Sequence, residues 1–171
     1  MTKQKQSPLT AQGIINIIWG PGINSEDRAH HLLALLKRAE TSVFWGAMQM
    51  CWPTCDDTWT YRREFVKLLR QHQPFAAYVS DKNRLFFDSL PAEVTVYRGA
   101  SFRRARGMSW STSREVAEGF ARGHRGITVP DAMLATLIIP KADVLMASVS
   151  RQEHEILLDP DRLPSDLKDW G

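Results

Sequence analysis

The spacing of apolar positions changes at about residue 91. Ahead of that point they recur at helical intervals. Leu32, Leu33, Leu35 and Leu36 fall on one helix face. Ser25 reads as the N-cap of that helix, Glu26 and Asp27 sit in its first turn at the positive end of the dipole, and the pattern runs to about Glu40. A short apolar piece, Ile14 to Trp19, precedes it and is closed by Gly20-Pro21-Gly22. Thr41 to Met50 is apolar and aromatic until Pro53 ends it. Asp56 or Asp57 caps a third helix, Trp59 to His72, with Phe65, Leu68 and Leu69 on one face. Pro74 opens a further segment that closes near Leu90-Pro91.

Beyond this point the runs are short and strand-like. Val94-Thr95-Val96-Tyr97 alternates and is built of strand formers. Met108 to Thr112 predicts a second strand, and Ser113 caps a helix over Arg114 to Arg122 whose stripe is Val116, Ala117, Phe120 and Ala121. Leu134 to Ile139 predicts a buried strand stopped by Pro140. Val144 to Met146 and Glu155 to Leu158 predict two more. Helices first and strands afterwards argue for an α+β protein. A helical layer over about 1–91 and a sheet core over about 93–160 are expected to form one domain of 171 residues.

Composition narrows the class only a little. An apolar content of 43% with 24% charged residues fits a globular chain rather than a disordered one. A net charge of +3 suits a phosphorylated ligand or a nucleic acid without demonstrating either. No apolar run is long enough to cross a bilayer, and the polar N-terminus leads into no signal-like core, so a cytoplasmic protein is expected. Cys51 and Cys55 read as free thiols of a reducing compartment. Their spacing has no second ligand pair to match it, and His30, His31, His72 and His124 form no ligand pattern, so no metal is expected. Trp45, Trp52 and Trp59 read as core residues of the helical half rather than as a platform for stacking bases.

Three short stretches carry candidate chemistry: Tyr97-Arg98-Gly99, Trp110-Ser111-Thr112-Ser113 and Glu153-His154-Glu155. Each is weak alone. An arginine at a strand end is usually a surface charge, and serines before a helix are usually caps. The acids are the sharper signal, because residues i and i+2 of an extended chain share a face. Glu155 would stand at the mouth of the last strand, Glu153 beside it in the loop, and His154 on the opposite face. Arg103, Arg104, Arg106, Arg114, Arg122 and Arg125 cluster around the first two stretches, offset only by Glu115 and Glu118. Such a run is most often a solvated face, though it also fits attraction of phosphates or nucleic acid.

In order and spacing, with Ala117-x-x-Phe120-Ala121 after the serine stretch, the chain from about Val94 to Pro160 resembles the Arg-Ser-Glu class of mono-ADP-ribosyltransferases. That group includes cholera-like and clostridial toxins and vertebrate ecto-transferases; small bacterial and phage members look nearest. The resemblance implies a split antiparallel β-sandwich, NAD as substrate, and transfer of ADP-ribose to a macromolecule. It makes Glu155 the carboxylate that stabilises an oxocarbenium-like transition state. It has Ser111 hydrogen-bonding Glu155 to fix its rotamer, and Glu153 orienting an acceptor guanidinium. Arg98 would clamp the NAD phosphate and ribose. Gly99 would let the nicotinamide approach closely. Thr112, Ser113 and Phe120 complete the expected NAD-binding set, with Thr112 and Ser113 supporting the strand end and helix cap.

One departure bears on the acceptor. The loop Ala147 to Gln152 lacks the aromatic residue with which many toxins dock a protein substrate. The resemblance at Glu153 makes a protein arginine the expected acceptor, and this departure speaks for the alternative, RNA or DNA, with an antitoxin or immunity protein as a further partner if the protein is a toxin, phage factor or delivered effector. Two other readings stay open on the residues. Water as acceptor would make the protein an NAD glycohydrolase, and loss of turnover would leave a module that binds NAD or ADP-ribose. The first half carries no motif.

Overall fold

A computed structural model describes residues 8–123 and 128–167. Five α-helices precede the first strand: α1 (Ala11–Ile18), α2 (Arg28–Leu36), α3 (Thr41–Cys51), α4 (Arg62–Gln71) and α5 (Asp81–Ser89). The strands β1 (Glu93–Ser101), β2 (Ser109–Ser111), β3 (Ala132–Pro140), β4 (Met146–Ser148) and β5 (Glu155–Leu157) follow, with α6 (Arg114–Ala121) between β2 and β3. The fold is α+β, as the order of hydrophobic patterns predicts. No helix among the described residues is long and apolar enough to cross a membrane.

The helix ends are set by local polar chemistry. Thr10 caps α1 by accepting from the Gly13 amide, Ser80 caps α5 by accepting from Asn83, and Ser113 caps α6 by accepting from Val116, each satisfying a first-turn N–H that has no partner within the helix. At α2 the expected cap is displaced. Asn24, not Ser25, accepts from the amides of Glu26 and Asp27, and the helix begins only at Arg28. Trp59 likewise lies ahead of α4. Its carbonyl accepts from the Arg62 guanidinium, which also stacks 4.2 Å over its ring, and both contacts hold the chain in a turn.

The sheet is antiparallel throughout, in the order β3-β1-β2-β5-β4. β1 and β3 pair along their whole length, from Glu93↔Pro140 to Ser101↔Ala132. The three short strands pair over three residues each. Only Tyr97↔Ser111 joins β1 to β2. β4 falls two residues later than the sequence pattern suggests. Val144 and Leu145 are buried for packing, and the ladder starts at Met146.

One contiguous apolar cluster joins the two halves: Ile14, Leu32, Trp45 and Leu69 from the helices with Val96, Trp110, Ile156 and Leu157 from the sheet. Each such side chain contributes about 1.5–3 kcal/mol on leaving water. The register then lines up Tyr97, Ser111, Glu155 and Ser148 as one row across four strands. The candidate residues lie in and beside that row.

Candidate active site

A cleft with two lobes opens at this row. One lobe, of about 220 Å³, is walled by Tyr97, Arg98 and Gly99 of β1, Ser109 to Ser111 of β2, and Val116, Ala117 and Phe120 of α6. The other, of about 250 Å³, is walled by Trp52, Pro53 and Cys55 together with Val129 and Arg151. Asp56, Thr58, Ser109, Phe120, Glu153 and Glu155 border both. Either lobe is smaller than an ordinary ligand pocket, and the two together fall within the usual range.

Glu155 sits where the lobes meet and is 9% exposed. A buried carboxylate is costly unless its oxygens are satisfied. Trp52 donates its indole N–H to Glu155 Oε1 at 3.0 Å, and the Ser109 hydroxyl is a second hydrogen-bonding partner. Burial raises the Glu155 pKa, with Glu153 adding to the effect. The bonds from Trp52 and Ser109 and the charge of Arg98 act against it.

The hydrogen bond expected from Ser111 to Glu155 is replaced by another. The Ser111 hydroxyl has one proton to give, and it goes to the Glu153 carbonyl at 2.6 Å, while its oxygen accepts from the Ser113 amide at 3.0 Å. Ser111 therefore fixes the loop that carries the acids. The rotamer of Glu155 is held by Trp52 and Ser109.

The two acids meet, though not by strand alternation. Arg151, Gln152 and His154 have φ of 56°, 59° and 45°. Left-handed backbone at such residues costs on the order of 1 kcal/mol or more each, and it persists where neighbours over-determine it. Here they do. Ser111 holds the Glu153 carbonyl, the Thr112 amide donates to the His154 carbonyl at 3.1 Å, and Asn83 of α5 accepts from the Val149 amide at 3.1 Å. The kink turns Glu153 back toward Glu155, and both border the cleft. His154 turns away, its ring 5.6 Å from that of Phe86, as its place between the acids predicts.

Arg98 is partly buried, and most of its fork faces protein. Nε and one Nη donate to the Arg104 carbonyl at 3.2 and 3.1 Å, and the other Nη donates to the Ser109 carbonyl at 2.5 Å. Burial lowers its pKa to about 10. Glu155 acts against that shift and Arg104 with it, and the group remains a cation at neutral pH. Gly99 is required by packing. A Cβ there would lie 1.8 Å from the Ala117 carbonyl oxygen and 2.6 Å from the Ala121 amide nitrogen. The missing side chain lets the α6 backbone sit against β1, and this brings Phe120 to the cleft.

The sequence-predicted residues thus divide. Arg98, Gly99, Ser111, Phe120, Glu153 and Glu155 border the cleft. Thr112 and Ser113 are not among its lining residues. Thr112 holds His154 through its amide and Ser113 caps α6, the supporting roles expected of them. His124 and Arg125 lie outside the described residues. The sequence reading missed Trp52, Asp56, Thr58 and Ser109. Ser109 could have been found from its i−2 relation to Ser111 on the same strand. Nothing in the connector from α3 to α4 marks it as part of a site.

Burial raises the Cys51 and Cys55 thiols to about 12, so both are protonated and poor nucleophiles at neutral pH. No group of three or more metal-ligating side chains occurs among the described residues. Comparison of the chain with protein-family models, curated proteins and solved structures finds no match.

Proposed function

We propose that the protein is an NAD-dependent mono-ADP-ribosyltransferase directed at arginine. The observation that carries this reading is the meeting of Arg98, Ser111, Glu153 and Glu155, drawn from separate stretches of sequence, around one cleft with a buried carboxylate at its centre. The single pair between β1 and β2 also supports the finer description of the fold. In this reading β3–β1 and β2–β5–β4 act as the two leaves of a split antiparallel β-sandwich, joined at that pair.

In this reading NAD lies across both lobes with its nicotinamide ribose at Glu155. The bond from C1′ to the nicotinamide nitrogen breaks, and its electron pair leaves with neutral nicotinamide. Positive charge spreads over C1′ and the ring oxygen. The Glu155 carboxylate, already oriented by Trp52 and Ser109, stabilises that charge without reorganising. Arg98 holds the first lobe in shape and lends it positive charge. A guanidinium nitrogen of the acceptor attacks C1′ from the second lobe, and Glu153 takes the proton that it loses. The outcome is nicotinamide plus an ADP-ribosylated arginine.

The test separates the two acids. With labelled NAD and a cell lysate, the wild-type protein is expected to label protein. Glu153→Gln is expected to lose transfer to arginine while still releasing nicotinamide to water. Arginine labelling that survives Glu153→Gln overturns the role of Glu153. Free ADP-ribose as the sole product of the wild type would make the protein a hydrolase, and NAD affinity without nicotinamide release would make it a binding module.

A further inference from the structure

We propose that the turn Phe102-Arg103-Arg104, held from beneath by the cleft residue Arg98, docks a single-stranded nucleic acid. Phe102 is 70% exposed, the most exposed large apolar side chain among the described residues. Arg103 and Arg104 are exposed on the same turn, and neither has an acidic partner among the described residues. Other arginines of this region are neutralised or tied down. Arg114 and Arg122 both lie against Glu118, and Arg106 donates to the carbonyls of Pro160, Leu163 and Pro164.

The turn is fixed from beneath. The Arg98 guanidinium grips the Arg104 carbonyl with two donors, and the Phe102 amide donates to the Asp131 carbonyl at 3.0 Å. Arg106 anchors the chain beyond it. What sets Phe102 apart from the comparably exposed Leu85 and Ile138 is the pair of exposed arginines that follows it on the same turn. The chemistry of its partner follows from the side chains. An unpaired base offers a π-face to stack on Phe102, and phosphates on either side of it meet the two arginine forks. Arg98 borders the first lobe and holds this turn through the Arg104 carbonyl, so the turn and the lobe share one side chain. This goes beyond the proposed transfer reaction, because it concerns binding and needs no NAD.

The experiment measures fluorescence anisotropy of a labelled twelve-nucleotide single strand, as RNA and as DNA, against the full chain over a range of salt. The wild type is expected to bind either strand. Phe102→Ala is expected to weaken binding by about tenfold or more, the loss of one stacked base. Arg103→Gln and Arg104→Gln are expected to reduce the slope of log affinity against log salt by about 0.7 each. All three positions are on the surface, and circular dichroism checks that the variants stay folded. A duplex of the same sequence is expected to bind more weakly, since its bases are not free to stack. No binding by the wild type, or equal binding by Phe102→Ala and wild type, overturns the proposal. So does an acidic peptide that binds this turn while the oligonucleotides do not. Nicotinamide release measured in parallel without oligonucleotide reports on the transferase reading separately.

Discussion

The helical half and the sheet half build their buried surfaces differently. Among the described residues, the helical half buries two polar side chains, His72 and Asn83, and the sheet half buries Ser111, Ser148 and Glu155. His72 is absorbed into packing. It stacks on Phe44 at 4.2 Å, bonds to Thr41 at 3.0 Å, and its carbonyl accepts from the Trp45 indole at 2.7 Å. The polar groups of the sheet half gather at one end of the β-row and border or support the cleft. Yet the half without a motif supplies contacts that hold the acids of that cleft in place. Trp52 holds Glu155, and Asn83, itself held by Gln49, anchors the loop that carries Glu153. The lesson is that a buried carboxylate and the group that positions it need not share a motif, or even a half of the chain.

The largest effect tests what the buried charge does in each setting. Glu155→Gln keeps the shape and removes the anion, so nicotinamide release is expected to fall by about 10³-fold, in the range of losing one strong electrostatic contact in a closed site. Stability should move the other way. Because the folded pKa of Glu155 is raised, the folded state favours its protonated form. The stability this contributes is present below the unfolded glutamate pKa and is lost as pH rises through the higher folded value. Near pH 7 the variant is therefore expected to melt above the wild type, with the difference vanishing in acid. Thermal melts across that range measure it.

Gly99→Ala comes next and acts on the sheet half alone. With a backbone oxygen 1.8 Å from the added carbon, α6 must move off β1. About 3 kcal/mol is expected, the upper end for overpacking, read as a lower denaturant midpoint. Unchanged stability would mean that α6 is not seated on β1 as described.

Trp52→Phe asks whether the halves cooperate. Phenylalanine keeps an aromatic ring on the side of Phe65, which the indole meets edge-on at 5.1 Å between centroids, while the N–H is lost together with part of the buried bulk of the indole. A hydrogen bond to a charged group is worth about 1.5–3 kcal/mol. Activity near neutrality is expected to fall, and the acid limb of the pH profile to move to higher pH, because an aid to the ionised form of Glu155 is gone. A loss of activity with an unmoved limb would reduce Trp52 to packing.

Asn83→Ala has the smallest expected effect. It frees the Val149 amide, and about 1 kcal/mol of stability goes with the bond. The strained loop then relaxes and Glu153 drifts. Transfer to arginine is expected to fall severalfold while hydrolysis at Glu155 holds, an outcome read from the ratio of labelled protein to free ADP-ribose.

What the sequence determined by itself was local. Apolar spacing marked the first half as helical, with Leu32 to Leu36 and Trp59 to His72 on helix periods, and the second half as strands, because periods of 3.6 and 2 are written in neighbouring residues. Ser113 was legible as a cap for the same reason. Glu155, Glu153, Arg98 and Ser111 were legible as candidates from residue type and order, and His154 from its place between two acids. The tertiary structure decided the rest. It placed β4 two residues late, gave the proton of Ser111 to a backbone carbonyl, and turned Gly99 into a seat for α6. It also set the Trp52 indole against a carboxylate 103 positions away in the chain. Such a contact leaves no periodic trace. It exists only when one core closes over both halves, and the same Trp52 would satisfy the sequence equally well as an ordinary buried ring.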